Sequence, residues 1–378
     1  MLIFCFRMGF TIAALKPLRI DKLHPVLTCV TISSMKRLGI VLDKLYFDHD
    51  NGGGHPESQE RLLAIVDMLK ETRLFEEVVS IQSRDATKEE ITLVHEPRYF
   101  DLIQSTRGKA RVFLDPDTST CPVSFNAAVR AVGGMLSSIE SVLNGEVDIA
   151  FPLVRPPGHH AEKNRAMGFC LFNNVAVGAA HANKFHGIDR ILIVDWDLHH
   201  GNGTQNMFYD SPHVLYFSTH QYPYYPGTGR IEEVGNGNGK GYTINVPLPP
   251  GMGDREYIKI FSQILKPVIS QYKPQLILVS AGFDTYFEDP LGGMKVTPKG
   301  FARMTRFLKE MAEEHCGGKI ILILEGGYNL DGLWESTKAV IEELLEKTQT
   351  DYGDTTEETK ADLVIESVKK IHSEFWRF

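Results

Sequence analysis

ILIVDWD, residues 191–197, is a segment in which an unbroken apolar run leads directly into Asp195 and Asp197. Two other segments share this design, QLILVSAG at 275–282 and KIILILEGG at 319–327. All three have the length of a strand and are continuously apolar rather than alternating, so both faces of each strand are expected to be buried. Such strands predict a parallel sheet between two layers of helices.

Segments of strand length alternate with amphipathic segments of helical length from Arg37 onward. The predicted strands are Leu38–Leu42, Ile149–Val154, Ile191–Trp196, Val214–Ser218, Leu276–Ser280 and Ile320–Leu324. The predicted helices are Glu60–Lys70, Val123–Leu143, Asn174–Lys184, Glu256–Tyr272, Pro298–Glu314 and Leu333–Glu346. The Gly-rich segment 235–243 predicts a turn, and the polar run 348–359 predicts a loop before a last helix. This alternation, without an internal repeat or a long linker, predicts a single doubly wound α/β domain.

The composition is that of a large soluble globular protein. Of the 378 residues, 43% are hydrophobic and 23% are charged, which suits one large α/β domain or two ordinary ones. The formal net charge is -8, the sequence pI is about 6.0, and residues of both signs are mixed along the chain. We therefore expect no direct binding to nucleic acid.

The first 34 residues are interpreted as an extension to the fold. The apolar run MLIFCFRMGFTIAAL at 1–15 is interrupted by Arg7, is too short to span a bilayer and lacks the features of a well-formed signal peptide. Met35 opens MKRLGIVLD, which reads as an ordinary start followed by a first strand. We expect residues 1–34 to be an over-extended start or a poorly ordered tail, and residues 35–378 to form the functional domain.

Cysteine usage indicates a reducing compartment. The five cysteines, at positions 5, 29, 121, 170 and 316, are too few and too scattered for a disulfide framework, and none form a CxxC pair. We therefore expect a cytoplasmic protein that does not associate with membranes.

Asp195, Asp197 and His199 follow the strand at 191–194 at alternate positions. Alternate residues of an extended segment face the same side, so these three side chains are expected to converge. Asp284 follows a second apolar strand in the same manner. Asp197, His199 and Asp284 would supply three protein ligands to a borderline cation such as zinc, with a fourth position open for water and substrate.

The segment RPPGHH at 155–160 presents the adjacent histidines His159 and His160 beyond another strand. Because imidazole titrates near neutral pH, the two rings could divide the work of general base and general acid beside a metal ion. Each ring would need a partner that fixes its tautomer, and Asp195 and Asn202 are available for this.

Tyr328 follows the last apolar strand after two glycines, in ILEGGYN at 323–329. A phenol aimed at the metal could donate a hydrogen bond to an oxyanion as it forms on an attacked carbonyl. A lone histidine pair would more often be structural, but four polar clusters here follow four different strands. Because ligands of α/β sheets bind beyond the carboxyl ends of the strands, together these clusters predict a metal-dependent hydrolase.

Two further segments have weaker functional interpretations. Asp115 and Asp117, in FLDPDTSTCP at 113–122, are of a type that usually caps turns, although one of them could grip the substrate backbone at the rim of the site. GNGNGKG at 235–241 lacks the Ser or Thr after its lysine, and the strand-to-helix context, of a phosphate loop. Nucleotide binding is therefore not expected.

Six motifs resemble the signature segments of the histone deacetylase and acetylpolyamine amidohydrolase superfamily. They are RPPGHHAE at 155–162, GFCLFNN at 168–174, DWDLHHGNGTQ at 195–205, YPGTG at 225–229, SAGFD at 280–284 and EGGYN at 325–329. The resemblance runs from about Gly39 to Leu345. Asn202 resembles the class II-like or bacterial branch, since the class I pattern has Asp there. The resemblance implies a single arginase/deacetylase-like α/β domain with deacetylase activity.

The resemblance also implies roles for individual residues. The zinc ligands would be Asp197, His199 and Asp284. His159 and His160 would act on the water and the leaving amine, and Tyr328 would polarise the acyl carbonyl. Phe169 and Tyr225 would line a narrow tunnel, with the carbonyl of Gly168 offered to the substrate and Leu291 at the mouth. A structural potassium ion, held largely by main-chain oxygens, would match Asp195, Asp197, His199, Ser218 and Thr219.

The implied reaction removes an acetyl or short acyl group from a lysine side chain or a related amine. Tyr225 stands where many relatives have Phe, which leaves the width and polarity of the tunnel open. Leu291 is apolar where polyamine-specific relatives have an acidic residue, which favours an acetylated lysine peptide over an acetylated small amine such as a polyamine. A two-manganese ureohydrolase would need more carboxylates than Asp284 alone supplies beyond its strand, and a non-catalytic acyl-lysine binder would lack the polar machinery. The oligomeric state remains open.

Overall fold

An eight-stranded sheet lies at the centre of the computed structural model, which describes residues 36–348, 350–353 and 355–378. The predicted extension at 1–34 falls outside the described residues. Within the described ranges, no helix combines the length and the apolar character needed to cross a membrane.

The strands of the described residues alternate with helices along the chain. They are β1 Leu38–Val41, β2 Val79–Ser80, β3 Val112–Asp115, β4 Thr118–Thr120, β5 Ile149–Pro152, β6 Ile191–Asp195, β7 Val214–Gln221, β8 Thr243–Leu248, β9 Leu276–Ala281 and β10 Ile320–Leu324. The sheet order is β2-β1-β5-β10-β9-β6-β7-β8, and every pairing in it is parallel. β3 and β4 form a separate antiparallel hairpin. The prediction of a central, mainly parallel sheet is confirmed.

The six predicted amphipathic segments and the predicted last helix are helical, and the described residues form four further short helices. In chain order, the helices are α1 Lys44–Asp48, α2 Glu60–Glu71, α3 Lys88–Ile91, α4 Pro97–Gln104, α5 Ser124–Leu143, α6 Asn174–His186, α7 Asn202–Phe208, α8 Asp254–Ile260, α9 Lys266–Tyr272, α10 Pro298–Cys316, α11 Leu330–Leu344 and α12 Asp362–His372. α5 and α6 pack together against the sheet, and α10 packs against it with α11. The strands β5, β6, β9 and β10 are buried throughout, as expected of a sheet covered on both faces.

Local sequence explains where α10 begins and ends. The Thr297 side chain caps the first turn by accepting a hydrogen bond from the amide of Gly300, and Pro298 occupies a first-turn position where an amide hydrogen is not needed. Gly317 ends the helix in the left-handed conformation, with φ of 64°. The apolar face between these signals is buried against the sheet.

Besides the short strands β2, β3 and β4 and the four short helices, which were not predicted, three features differ from the sequence prediction. The strand predicted to reach Trp196 ends at Asp195, and the single helix predicted for 256–272 is interrupted by a π-helical turn at Phe261–Leu265. The π turn comes shortly before Pro267, which has no amide hydrogen to donate to the preceding turn. The strand β8 is not among the predicted strands. It contains Pro247, and proline argues against a strand in the interior of a sheet, but it is compatible with the position of β8 at the edge.

The four central strands of the sheet, β5, β10, β9 and β6, are neighbours in that order. Each of them leads into one of the four polar clusters found in the sequence. The carboxyl ends of parallel strands lie at the same edge of a sheet. The fold therefore brings all four clusters together, as predicted.

Candidate active site

Asp197, His199 and Asp284 form a buried cluster at the carboxyl edge of the sheet. Their ligand atoms lie within 4.8 Å of one another, and Nδ1 of His199 lies 3.2 Å from Oδ1 of Asp197 and 3.0 Å from Oδ2 of Asp284. The amides of Gly326 and Leu198 donate to Oδ2 of Asp197 and Oδ1 of Asp284, both at 2.8 Å. Backbone amides from two loops therefore fix the carboxylates in their orientation.

The three residues are electrostatically unlike ordinary surface groups. Both aspartates are fully buried and His199 is 9% exposed. Burial and the neighbouring charge of Asp197 raise the pKa of Asp284 above its usual range. Burial disfavours a charged His199, but hydrogen bonds to the two carboxylates raise its pKa to about 9. Two carboxylates held this close, with a single imidazole between them, form a strongly cation-attracting site.

His159 and His160 lie beside this cluster, and each has a different partner. Nδ1 of His159 meets Oδ2 of Asp195 at 3.1 Å, and the hydroxyl of Tyr216 donates to the same oxygen at 3.0 Å. Nδ1 of His160 meets Oδ1 of Asn202 at 2.8 Å. The structure thus pairs one imidazole with a carboxylate and the other with a neutral amide.

A residue that the sequence interpretation did not single out holds the loop of the two histidines. The carboxylate of Glu325 accepts hydrogen bonds from the amides of Gly158 at 2.7 Å and His159 at 3.2 Å, and from the hydroxyl of Ser280 at 3.2 Å. Burial raises the pKa of Glu325 to about 7. Glu325 is therefore the anchor between the carboxyl ends of β10 and β5.

Tyr328 is half-buried on the loop that follows β10. Its amide donates to Oδ2 of Asp289 at 2.7 Å, and the guanidinium of Arg61 lies 5.1 Å from the centre of its ring. Burial raises the pKa of Tyr328 well above its usual value, so the phenol is neutral and can donate a hydrogen bond at neutral pH. Asp289 also accepts from the amide of Leu291 at 2.9 Å, which links the Tyr328 loop to the rim.

A fully buried ionic network, for which there is no local sequence signal, lies behind Tyr328. The carboxylate of Glu57 pairs with the guanidiniums of both Arg61 and Arg155, and all three side chains are inaccessible to solvent. Nε of Arg61 also donates to the carbonyl of Gly327 at 2.6 Å. Burial opposes ionisation of Glu57, but the charge of Arg155 and its hydrogen bonds lower the pKa to about 2. The network therefore stays ionised and fixes the backbone that carries Tyr328.

Gly168 and Phe169 form one wall of the site through an unusual backbone. Both have positive φ, 56° and 67°, and a Cβ at Gly168 would lie 2.3 Å from the His160 ring. The hairpin of β3 and β4 stabilises this conformation, because the amide of Gly168 donates to Oδ1 of Asp117 at 3.2 Å and that of Phe169 to the hydroxyl of Thr118 at 3.0 Å. A strained residue held this firmly is typical of a functional site.

A cavity of ≈ 70 Å³ opens above the metal-ligand cluster. Its lining residues are Asp117, His160, Gly168, Phe169, His199, Tyr225, Leu291 and Tyr328. The rings of Phe169 and Tyr328 are perpendicular with centres 5.9 Å apart, and those of His160 and Tyr225 are perpendicular at 5.1 Å. The four residues predicted to bind the substrate thus share one cavity with His160, His199 and Tyr328.

Asp115, Asp117 and Leu291, the residues expected near the rim of the site, differ in what they contact. Asp117 lines the cavity, whereas Oδ1 of Asp115 accepts from the amide of Asp117 at 3.2 Å, the turn-capping arrangement weighed for these residues. Leu291 lies at the rim, where its carbonyl accepts from the hydroxyl of Tyr224 at 2.9 Å. The ring of Tyr224 stacks on that of His199, with centres 5.7 Å apart. Tyr224 therefore connects the rim to the metal-ligand cluster, a role that its sequence context did not reveal.

Ser218 and Thr219 lie on β7, next to the end of β6. Ser218 is the register partner of Asp195, and its hydroxyl lies 2.9 Å from Nδ1 of His220. The hydroxyl of Thr219 is buried and has no hydrogen-bond partner among the described residues. Three of the five predicted potassium-binding positions, Asp195, Ser218 and Thr219, therefore lie on neighbouring strands.

The chain is similar to known proteins over most of its length. The model of the histone deacetylase domain matches residues 55–344. A protein of Archaeoglobus fulgidus named "Probable deacetylase" is 39% identical, over 90% of this chain and 98% of that protein. Histone deacetylase 15 of Arabidopsis thaliana is 41% identical over 85% of this chain, and polyamine deacetylase HDAC10 of Homo sapiens is 41% identical over 76% of it.

The matched region is a smaller part of these two eukaryotic relatives, at 59% of the plant protein and 44% of the human protein. A solved structure, the crystal structure of the HDA15 HD domain, superposes with a TM-score of 0.85 and 39% identity, covering 91% of this chain and 96% of that one. The domain match covers more than half of the chain, and the archaeal relative is matched over nearly its whole length. This chain belongs to the histone deacetylase family.

Proposed function

We propose that this chain is a zinc-dependent amide hydrolase that removes acetyl or short acyl groups from lysine side chains or related amines. One observation carries the proposal: the ligand atoms of Asp197, His199 and Asp284 lie within 4.8 Å of one another, and a narrow cavity reaches His199 together with His160 and Tyr328. An ion-binding cluster, a titratable base and a phenol thus face one small space. Homologues named as deacetylases support this assignment.

The residues of the cluster fit a zinc ion. Two buried carboxylates without a cation would carry a large desolvation cost, and the raised pKa of Asp284 reflects that conflict. Two carboxylate oxygens and one imidazole nitrogen are suitable ligands, and three protein ligands leave a coordination position open. A bound zinc would polarise the acyl carbonyl and lower the pKa of a water molecule in the cavity.

The two histidines divide the proton transfers in this proposal. His160 lines the cavity and is neutral at pH 7, because burial and the neighbouring His159 and His199 lower its pKa, so it is suited to accept a proton from the attacking water. His159 is held protonated by the charges of Asp197 and Asp195, which outweigh its burial. It is suited to stabilise negative charge and to protonate the leaving amine.

Tyr328 acts as the hydrogen-bond donor to the acyl oxygen. Its neutral phenol lines the cavity opposite Phe169, and the Asp289 carboxylate and Arg61 fix the loop that carries it. A donor that is already in position lowers the barrier because no reorganisation is needed as charge develops. Gly168 and Phe169 would hold the substrate chain against Tyr225.

We further propose that a structural potassium ion binds behind the zinc site, at Asp195, Asp197, His199, Ser218 and Thr219. Two observations support an ion here. The buried Thr219 hydroxyl lacks a hydrogen-bond partner among the described residues, and Ser218 is adjacent to Asp195 in the sheet. The chain would act in the cytoplasm, since the described cysteines, Cys121, Cys170 and Cys316, are all free thiols. We assign the functional domain to residues 35–378.

The substrate is proposed to be an acetylated lysine peptide, with an acetylated small amine as the alternative. The ≈ 70 Å³ cavity between Phe169 and Tyr225 fits a thin alkyl chain better than a bulky acyl group. The apolar Leu291 at the rim offers no charge to a second amine, although a relative is named a polyamine deacetylase. A two-manganese ureohydrolase is disfavoured, since the buried cluster offers two carboxylates and one imidazole, fewer ligands than two metal ions would need.

The test is hydrolysis of a substrate panel by zinc-loaded protein. Acetyl-lysine peptides, longer acyl-lysine peptides and N-acetylated polyamines are incubated separately, and released amine and carboxylate are measured by mass spectrometry. We expect the acetyl-lysine peptide to be hydrolysed fastest and Asp284→Asn to abolish turnover, whereas the exposed control Asp331→Asn retains it. Failure of the zinc-loaded protein to hydrolyse any of these amides would contradict the proposal.

A further inference from the structure

A second group of metal-ligating side chains lies where α5 meets α6. It consists of Glu140 on α5 with His181 and His186 on α6, and the ligand atoms of these residues lie within 4.8 Å of one another. The two imidazole rings have centres 5.3 Å apart and an interplanar angle of 51°. None of the three residues lines the active-site cavity.

We propose that Glu140, His181 and His186 form a second binding site, for a borderline divalent cation of the Zn²⁺ type. Two imidazoles and one carboxylate are the donor set of many three-ligand zinc sites. Imidazole-rich sites prefer zinc and its neighbours in the first transition series to Mg²⁺ or Ca²⁺. The site is separate from the proposed catalytic centre and does not depend on it.

His181 is an incompletely satisfied buried group, which marks it as a ligand. The residue is 5% exposed, and its Nδ1 atom has no hydrogen-bond partner among the residues that the structure describes. Nε2 lies 3.5 Å from Oε1 of Glu90 and 3.8 Å from Oε1 of Glu140. Buried polar atoms are rarely left without a partner, and a bound cation would engage this ring. Burial also lowers the pKa of His181, which keeps it in the neutral form that binds metals.

The surrounding charges favour a cation. Arg84 lies between two carboxylates, with Nη2 2.7 Å from Oε1 of Glu90 and 2.9 Å from Oε1 of Glu140. One guanidinium against two carboxylates leaves one negative charge beside the two histidines. Because Arg84 engages Oε1 of Glu140, the ion would be held by Oε2 of that residue.

The site would stabilise the end of α6. His186 is the last residue of that helix and is exposed, so an ion would join the end of α6 to α5. At the other end of α6, the cap residue Asn173 contacts the carbonyls of His159 and Ala161. Because the ion would bind the folded domain in preference to the unfolded chain, we expect it to raise the melting temperature of the whole domain.

The test compares zinc stoichiometry in the full chain and in variants. Protein is dialysed against Zn²⁺ and then against metal-free buffer, and bound zinc per chain is measured by atomic emission. We expect His186→Ala and Glu140→Gln each to bind one equivalent less than the unmodified chain, with a smaller rise in melting temperature on zinc addition. His186 is exposed, and Glu140→Gln keeps the size of a partly exposed side chain, so we expect both variants to fold. His213→Ala, which removes another exposed histidine, is the matched control and should leave the stoichiometry unchanged.

Equal zinc content in His186→Ala, Glu140→Gln and the unmodified chain would overturn the proposal. An equal loss in His213→Ala would overturn it too, since it would indicate nonspecific binding to surface histidines. The difference of one equivalent does not depend on whether the active-site cluster is occupied. Substituting Mg²⁺ for Zn²⁺ should abolish the effect on melting temperature, and an equal effect of Mg²⁺ would contradict the predicted ligand chemistry.

Discussion

The imidazole rings of His159 and His160 lie with their centres 4.0 Å apart, yet their surroundings shift their pKa values in opposite directions. Burial opposes charge on both rings. Nearby Asp197 and Asp195 outweigh burial at His159 and raise its pKa, whereas the positive charges of His159 and His199 add to burial at His160 and lower its pKa. Two neighbouring groups whose pKa values are pushed apart are suited to separate roles as acid and base.

Replacement of Asp195 by asparagine should change the pH profile of the enzyme. The carboxylate favours the protonated form of His159, so Asp195→Asn should lower the pKa of His159, by about 1–3 units. If protonated His159 is required, the pH above which the variant loses activity should be lower. The basic limb of the pH profile of kcat/KM should therefore shift to lower pH by the same amount. The measurement is the rate of acetyl-lysine peptide hydrolysis between pH 6 and pH 10.

Tyr216→Phe is the control for this experiment. It removes a hydrogen bond to Asp195 and leaves the carboxylate in place. The basic limb should therefore stay within a few tenths of a unit of its original position. A basic limb that does not move in Asp195→Asn would remove His159 from the role of the acid.

Loss of the Tyr328 hydroxyl should reduce turnover. Tyr328→Phe removes the donor that lines the cavity but keeps the ring against Phe169 and Arg61, so kcat should fall by about 10²–10³-fold with little change in KM. Steady-state kinetics with an acetyl-lysine fluorogenic substrate will check this. Tyr286→Phe, whose hydroxyl contacts Glu335, is the matched control and should keep full kcat. Unchanged turnover in Tyr328→Phe would exclude Tyr328 from the mechanism.

Two buried tyrosines should respond in opposite ways to loss of their hydroxyls. The hydroxyl of Tyr225 is buried without a hydrogen-bond partner among the described residues, so Tyr225→Phe should leave the free energy of unfolding unchanged or raise it by about 1 kcal/mol. The hydroxyl of Tyr99 donates to the carbonyl of Leu171, so Tyr99→Phe should lower it by about 1–3 kcal/mol. Urea unfolding of the two variants tests the pair. A large destabilisation by Tyr225→Phe would reveal a partner for its hydroxyl.

Zinc removal should make stability depend on pH. In the metal-free cluster the pKa of Asp284 is raised by burial and by Asp197, and that of His199 is raised to about 9 by both carboxylates. Groups whose folded pKa lies above the unfolded value stabilise the fold at low pH, and that contribution is lost as pH rises through the folded pKa. Metal-free protein should therefore lose stability between about pH 6 and pH 9.

Added zinc should reverse this trend, because metal ligands must be deprotonated and binding strengthens as pH rises. The melting temperature of stripped and zinc-loaded protein, measured at several pH values, should differ more at pH 9 than at pH 6. Asp284→Asn should show a weaker trend, because Asp197 still raises the pKa of His199, and should lose the part of the zinc effect that arises at this cluster. A melting temperature of stripped protein that rises from pH 6 to pH 9 would contradict the proposed electrostatics of the cluster.

Several parts of the fold could be predicted because their signals are local. The strands β6, β9 and β10 are continuously apolar, and α10 begins and ends with recognisable capping residues. The hairpin of β3 and β4 has no comparable signal, since β3 is apolar but largely half-buried and β4 is polar but buried. Its functional importance, the support of Gly168 and Phe169, depends on contacts between residues 51 positions apart.

The order of strands and polar clusters along the chain is enough to predict which residues come together. Four apolar strands end in polar clusters, and the carboxyl ends of parallel strands lie at one edge of their sheet. Asp197, His199 and Asp284 are therefore expected near the two histidines and Tyr328. The pairing of His159 with Asp195 and of His160 with Asn202 becomes apparent only in the folded protein. The same is true of the burial of Glu57 between Arg61 and Arg155, three residues whose charges would suggest a place at the surface. These outcomes depend on distances through space and on exclusion of water, which alternation and strand ends do not encode.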